Sequence, residues 1–130
     1  MKTKIFVILF TSVLVITACA IQHKVADHER LIGHWILIET LNDPGDGSAK
    51  WKPQTKADAE YITFGAAGHI TGNSIEGATD YNIIDSNHLT INIKGNTAPI
   101  TYRYKINNNT LELNPPCREA CGMRYIKRKR

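Results

Sequence analysis

Side chains capable of chemistry are few and scattered along this chain. Its 130 residues include five histidines and three cysteines. His23 and His28 stand beside Asp27 and Glu29 in "IQHKVADHER", a donor set that could hold zinc or copper. No regular element fixes their spacing, so solvated imidazoles and carboxylates are the preferred reading. His34, His69 and His88 fall at the starts or ends of strand-like runs, where exposed imidazole is ordinary. Asp43 and Asp46 in "DPGDGS" could offer oxygens to calcium, but the ligand cadence and closing Glu of a calcium loop are missing. That cluster reads as a turn. There is no Gly-x-Ser-x-Gly elbow, no phosphate-cradling loop and no His-Glu-x-x-His. The sequence therefore predicts no catalytic residue, no metal site and no cofactor, and the protein is expected not to be an enzyme.

The thiols are more informative. Lys2 and Lys4 open a segment that runs almost wholly apolar from Ile5 to Ile16. A basic start, a short apolar core and small residues before a cut are the parts of a secretory signal. The core is shorter than the roughly 20 residues that a transmembrane helix needs. Ile16-Thr17-Ala18-Cys19 resembles the bacterial lipobox, in which the thiol becomes a diacylglycerol thioether and the chain is cut just before it. The resemblance implies a signal peptide over residues 1–18, lipidation of Cys19 and a lipoprotein of the bacterial cell envelope. Acyl chains such as palmitate add about 0.8 kcal/mol per buried methylene, so two or three would anchor the protein firmly in a membrane. Ala20 follows the cysteine where Asp is associated with inner-membrane retention, which favours the outer membrane.

Export sorts the remaining cysteines. Cys117 and Cys121 form an even pair in an oxidising compartment, and the spacing in "CREAC" suits a helical turn or tight loop that brings the sulfurs into bonding range. A disulfide pinning the connection before the last strand is expected, in preference to a metal site needing two further ligands.

Charge excludes another class. Lys2 and Lys4 leave with the signal, so the mature chain carries 14 basic residues against 12 acidic. The tail Lys127-Arg128-Lys129-Arg130 holds four of those, and the body without it is 10 against 12. Basicity is a terminal feature rather than a broad field, so no nucleic-acid partner is expected. At a membrane such a tail could touch anionic headgroups. A solvated terminus is the plainer reading.

Residues 19–30 read as a polar tether, with a helical turn before Leu31. A single domain, residues 31–130, follows. "HWILIETL" is a strand closed by the turn formers "NDPGDGS". "EYITF" and "HITGN" flank "GAAG", "DYNIID" and "HLTINI" flank "SN", and "ITYRYKI" and "TLELN" flank "NNN", which makes three hairpins. Ile100, Tyr102, Tyr104 and Ile106 alternate with Thr101, Arg103 and Lys105, and Leu111 and Leu113 answer them across the turn. Such alternation gives each strand one buried and one wet face. Pro115-Pro116 interrupt pairing before a closing strand, "MRYIK". Eight strands in a hairpin-linked meander predict an all-β, antiparallel up-and-down barrel behind an N-terminal signal helix. The expected core is Trp35, Leu37, Ile62, Phe64, Ile70, Ile83, Leu89, Ile91, Tyr102, Tyr104, Leu111, Leu113 and Tyr125. Trp51 is expected to be half buried beyond the first strand, or to cover the barrel mouth.

"LIGHWIL" resembles the opening of a lipocalin-type barrel, where a Gly-x-Trp motif starts the first strand and the Trp plugs the closed end. Gly33 and Trp35 match it residue by residue. In that family a basic residue near the last strand lies over the Trp ring, and Arg124 in "GMRYIK" is the candidate here. The strand layout is similar to that of small bacterial lipocalin-like lipoproteins over roughly Leu31 to Lys127. Shorter strands and the lack of a long late helix set this chain apart from the larger lipocalins.

Three function classes follow. The expected function is that of a carrier or sensor holding a small apolar or amphipathic molecule inside the barrel, lined by Trp35, Phe64, Tyr102, Tyr104 and Tyr125, with the next class as its alternative. A protein-interaction or inhibitor module would have a filled barrel and engage an unidentified envelope protein through its loops or outer face. Lysozyme-inhibitor lipoproteins are of this kind, although an inhibitor of a basic enzyme should present more acid than this body carries. A hydrolase lacks any motif to support it.

Overall fold

The computed structural model describes residues 28–56 and 60–128. The signal segment 1–18, Cys19 and most of the tether lie outside the described residues. A helical turn at residues 28–31 leads into β1 (Gly33–Asn42). Eight further strands follow: β2 (Trp51–Pro53), β3 (Tyr61–Phe64), β4 (Ile70–Gly72), β5 (Ala78–Ile83), β6 (His88–Ile93), β7 (Ile100–Asn107), β8 (Thr110–Asn114) and β9 (Cys121–Lys127).

All pairings are antiparallel, and the sheet runs β4-β3-β1-β9-β8-β7-β6-β5. This is the expected eight-stranded meander, rolled into a nearly closed barrel. The first and last long strands meet in an extended seam, from Trp35 opposite Lys127 to Asn42 opposite Cys121, with a bulge at Ile38. The circuit is completed more thinly between β4 and β5. There His69 and Asp80 form an isolated bridge and the Tyr81 amide donates to the Gly68 carbonyl at 2.8 Å.

The turns follow the residues the sequence supplies. Gly65 and Gly68 close the β3–β4 hairpin, with Gly68 at φ 85°. Asn108 takes φ 52° in the β7–β8 turn, a left-handed conformation that Asn tolerates better than most residues. After Pro115-Pro116, the Cys117–Cys121 disulfide closes the loop, and Asp43 N–H bonds back to the Ala120 carbonyl at 2.8 Å. A ninth strand, β2, was not expected. It pairs with the upper half of β1 (Glu39–Leu41 against Trp51–Pro53) and lies off the main circuit. Pro53 and the preceding turn formers hide it in the sequence, and an edge is where a strand tolerates proline.

The anticipated core is buried throughout, and Leu31, Ile36, Ile75 and Tyr81 are buried as well. Trp35, Leu89, Ile91, Leu111, Leu113 and Tyr125 are wholly shielded from solvent. At the end where β1 starts, the helical turn lays Leu31 under the barrel. At the opposite rim, the loop between β4 and β5 sends Ile75 into the core. Leu111 stands midway between β7 and β9, opposite Ile106 and Tyr125. Its truncation leaves a void that close-packed neighbours cannot collapse into. Leu111→Ala is expected to lower unfolding free energy by about 2–5 kcal/mol, measured by urea titration with an unchanged m value.

Candidate functional site

Inside the barrel the aromatics pack into one core and bond their polar atoms to the turns and loops at its two ends. Trp35 Nε1 donates to the Leu31 carbonyl at 2.7 Å, tying the ring to the helical turn beneath it. The Tyr125 hydroxyl meets Ser74 Oγ at 2.9 Å, which draws the β4–β5 loop over the rim. Tyr81 donates to the Gly65 carbonyl at 2.8 Å, with His28 Nε2 at 3.1 Å, and stands edge-on to Phe64 with ring centroids 5.0 Å apart. Tyr104 donates to the Asp85 carbonyl at 3.1 Å. Among the described residues, no buried side-chain nitrogen or oxygen lacks a partner. The five aromatics expected to line a ligand site (Trp35, Phe64, Tyr102, Tyr104 and Tyr125) are thus brought together as members of one packed core.

The closed end is built by Gly33, Trp35 and Lys127. Lys127 Nζ lies 4.9 Å from the centre of the Trp35 ring and donates to the Arg30 carbonyl at 2.7 Å. Gly33 has φ 138°, and a Cβ there would come within 2.7 Å of Lys127 Cε, so glycine leaves the lane along which the lysine crosses. The cation over Trp35 is therefore Lys127 and not Arg124. Side-chain parity explains the correction: Tyr125 points inward, Lys127 two residues on leans to the same side, and Arg124 points outward.

Arg124 instead organises the outer face. It bonds Glu39 across the seam at 2.5 Å and Glu112 on β8 at 3.3 Å, while its guanidinium lies 3.9 Å from the centre of the Trp51 ring. Trp51 reaches this position by crossing Gly122, where a Cβ would meet its ring at 2.9 Å. Trp51 therefore covers the outer wall beside the rim rather than the mouth. The histidines are held locally: His34 by Thr63 at 2.9 Å, His88 by Asp85, and His69 by Asp80, whose carboxyl the imidazole keeps below its ordinary range. Among the described residues, no three His, Cys, Asp or Glu side chains gather as a metal ion would require.

Two of the clefts on the surface are bordered by described residues alone. One of about 550 Å³ is bordered by Arg30, Ser86, Asn87, Arg103, Lys105 and Glu112. The other, about 600 Å³, is bordered by Ile32, His34, Phe64, Asn109, Lys127 and Arg128. No protein-family model matches the chain, and no curated protein is significantly similar to it. A nearly closed antiparallel barrel is compatible with a lipocalin-like fold and with ligand binding.

Lys127 escaped the sequence reading although parity with Tyr125 could have found it. The Arg124–Glu39–Glu112 link had no sequence signal, because it depends on the register across β1, β9 and β8. A double-mutant cycle on Arg124→Ala and Glu39→Ala should give a coupling of about 1 kcal/mol, since both side chains keep less than a third of their exposure; a null coupling would show the pair to be ornamental. Burial pushes the Tyr81, Tyr102 and Tyr125 hydroxyls above their ordinary value near 10. Above about pH 10 the unfolded chain releases phenolic protons that the folded barrel retains, so stability is full below that pH and falls as pH rises past it. Urea titrations on either side of pH 10 should record this fall, and Tyr125→Phe should make it shallower.

Proposed function

We propose that this protein is a lipoprotein of the bacterial envelope, anchored at the outer membrane by acyl chains on Cys19, whose packed barrel is a rigid, non-catalytic scaffold. On this reading it acts as a protein-interaction module, with its outer wall and rim engaging an envelope protein. The observation that carries the proposal is the self-sufficiency of the interior: the aromatic side chains fill it, and their polar atoms bond to the protein's own loops. Small-ligand sites keep a few convergent polar groups for the ligand, and here the polar atoms of Trp35, Tyr81, Tyr104 and Tyr125 are already engaged. The lipobox-like Ile16–Cys19 stretch supports the anchor, and the absence of catalytic motifs supports a non-enzymatic role.

A second reading, binding of a small amphipathic molecule, draws on the cleft of about 600 Å³. There Ile32 and Ala66 offer apolar surface beside Lys127 and Arg128. It moves the ligand from the barrel interior to the barrel's end.

Native mass spectrometry of the protein extracted from membranes separates these readings. The expected mass is that of a chain starting at Cys19 with diacylglyceryl and acyl groups attached and no further adduct. A stoichiometric small molecule that survives extraction would transfer the conclusion to the second reading. An unmodified Cys19 would remove the anchor.

A further inference from the structure

The barrel is electrically lopsided in a way that its nearly balanced composition conceals. At the end where β1 starts, the helical turn, the β5–β6 and β7–β8 turns and the close of β9 come together. Arg30, Lys105, Lys127 and Arg128 border two clefts there, the first of which continues along the outer face of β7 and β8 past Arg103 to Asn114. Among the described residues, several carboxylates near these cations are engaged with other groups, and Arg30 itself also donates to the Ile106 carbonyl at 2.8 Å. Asp85 accepts the Asn87 and His88 amides and the His88 ring, Asp80 holds His69, and Glu112 receives Arg124 and Asn114. Glu29 is the remaining acid of the helical turn. At the opposite rim the charges are mixed: Asp43, Asp46, Glu76 and Glu119 are interspersed with Lys50, Lys94 and Arg118.

Chain direction adds a second, independent observation. The described chain enters at this cationic end through residues 28–31 and leaves it at Arg128, with Lys129 and Arg130 still to follow. Whatever precedes residue 28 therefore joins the barrel at the basic end. The cations also converge from far apart in sequence, on the helical turn, β7 and the end of β9, so folding is what assembles them.

We infer that this end of the barrel is a docking face for a bilayer rich in anionic phospholipid, with the Arg30–Lys105 and Lys127–Arg128 clefts seating headgroup phosphates. The apolar surface of Ile32 and Ala66 beside Lys127 and Arg128 suits the boundary between headgroup and acyl chain. Lys127 is already braced on the Trp35 ring and the Arg30 carbonyl, which holds its charge in place. Docking this way stands the barrel on end and points the rim, with its disulfide loop and the β4–β5 loop, away from the membrane. The inference goes beyond the proposed scaffold role by giving the protein an orientation, and it does not require the acyl anchor.

Amide hydrogen exchange on the membrane-extracted protein, mixed with vesicles of phosphatidylcholine alone or with added phosphatidylglycerol, tests it. The turns at residues 65–68, 84–87 and 107–109 should exchange several-fold more slowly with the anionic vesicles only, and high salt should reverse the effect. The rim turn at residues 43–47 should not change. A Lys105→Gln, Arg128→Gln variant should lose most of the protection, since each cation at an anionic surface is worth about fivefold in the docking equilibrium. Equal protection on both vesicle types, or protection at the rim, would overturn the inference. Failure of lipidation is distinguishable: it would release the protein from neutral vesicles while leaving the salt-sensitive protection on anionic ones.

Discussion

β1 and β9 meet with nearly the whole domain between them, and that pairing turns a meander of hairpins into a barrel. Each hairpin is local and costs little loop entropy to form. The seam joins Trp35 to Lys127 and Asn42 to Cys121, so its entropy cost is the largest in the fold and must be offset by what it buries. It buries Trp35, Leu37 and Tyr125 together, on the two strands with the most extensive register in the sheet. Two devices reinforce it. Lys127 lies across the Trp35 ring at one end, and Arg124 bonds Glu39 across the strands further along. The disulfide loop then fixes where β9 begins.

Closure at this strand number also governs what the interior can do. About eight strands leave room for side chains or for one small ligand, and here aromatic bulk takes the space. Ser74 and Ile75 stop one end and Leu31 stops the other, so Tyr125 and Trp35 find partners on the stoppers themselves, and Tyr81 and Tyr104 find theirs on turn carbonyls. Recognition chemistry is thereby displaced outward, to Trp51 and Arg124 on the wall and to the cationic clefts at the base.

Alternation, turn residues and the Gly-x-Trp pair made the meander, its three hairpins and most of the core readable before any coordinates. Ile100 to Ile106 and Leu111 to Leu113 are explicit cases, because period-two burial is written directly into their order. The disulfide was readable from spacing. What stayed hidden depended on register or on loop path. Ile75 and Tyr81 are buried because a loop folds over the rim and a turn carbonyl accepts the tyrosine hydroxyl. Pro53 masked β2, and Trp51 reaches Arg124 only after β2 has turned back along β1. Arg124 was taken as the basic residue of the last strand, when counting by twos from Tyr125 selects Lys127. The concentration of charge at one end is a property of the assembled barrel, since Arg30, Lys105 and Lys127 are distant in sequence.

The seam is best interrogated by residue-resolved amide exchange followed by NMR in dilute denaturant. If the β1–β9 pairing holds the barrel together, the amides of Ile36 and Ile126, which face each other across the seam, will exchange only through global unfolding, with the same free energy and the same denaturant slope as the whole domain. Exchange of those amides through a low-slope local opening, while the β5–β6 hairpin stays protected, would show that the barrel persists without its seam and would contradict this description of how it is sealed.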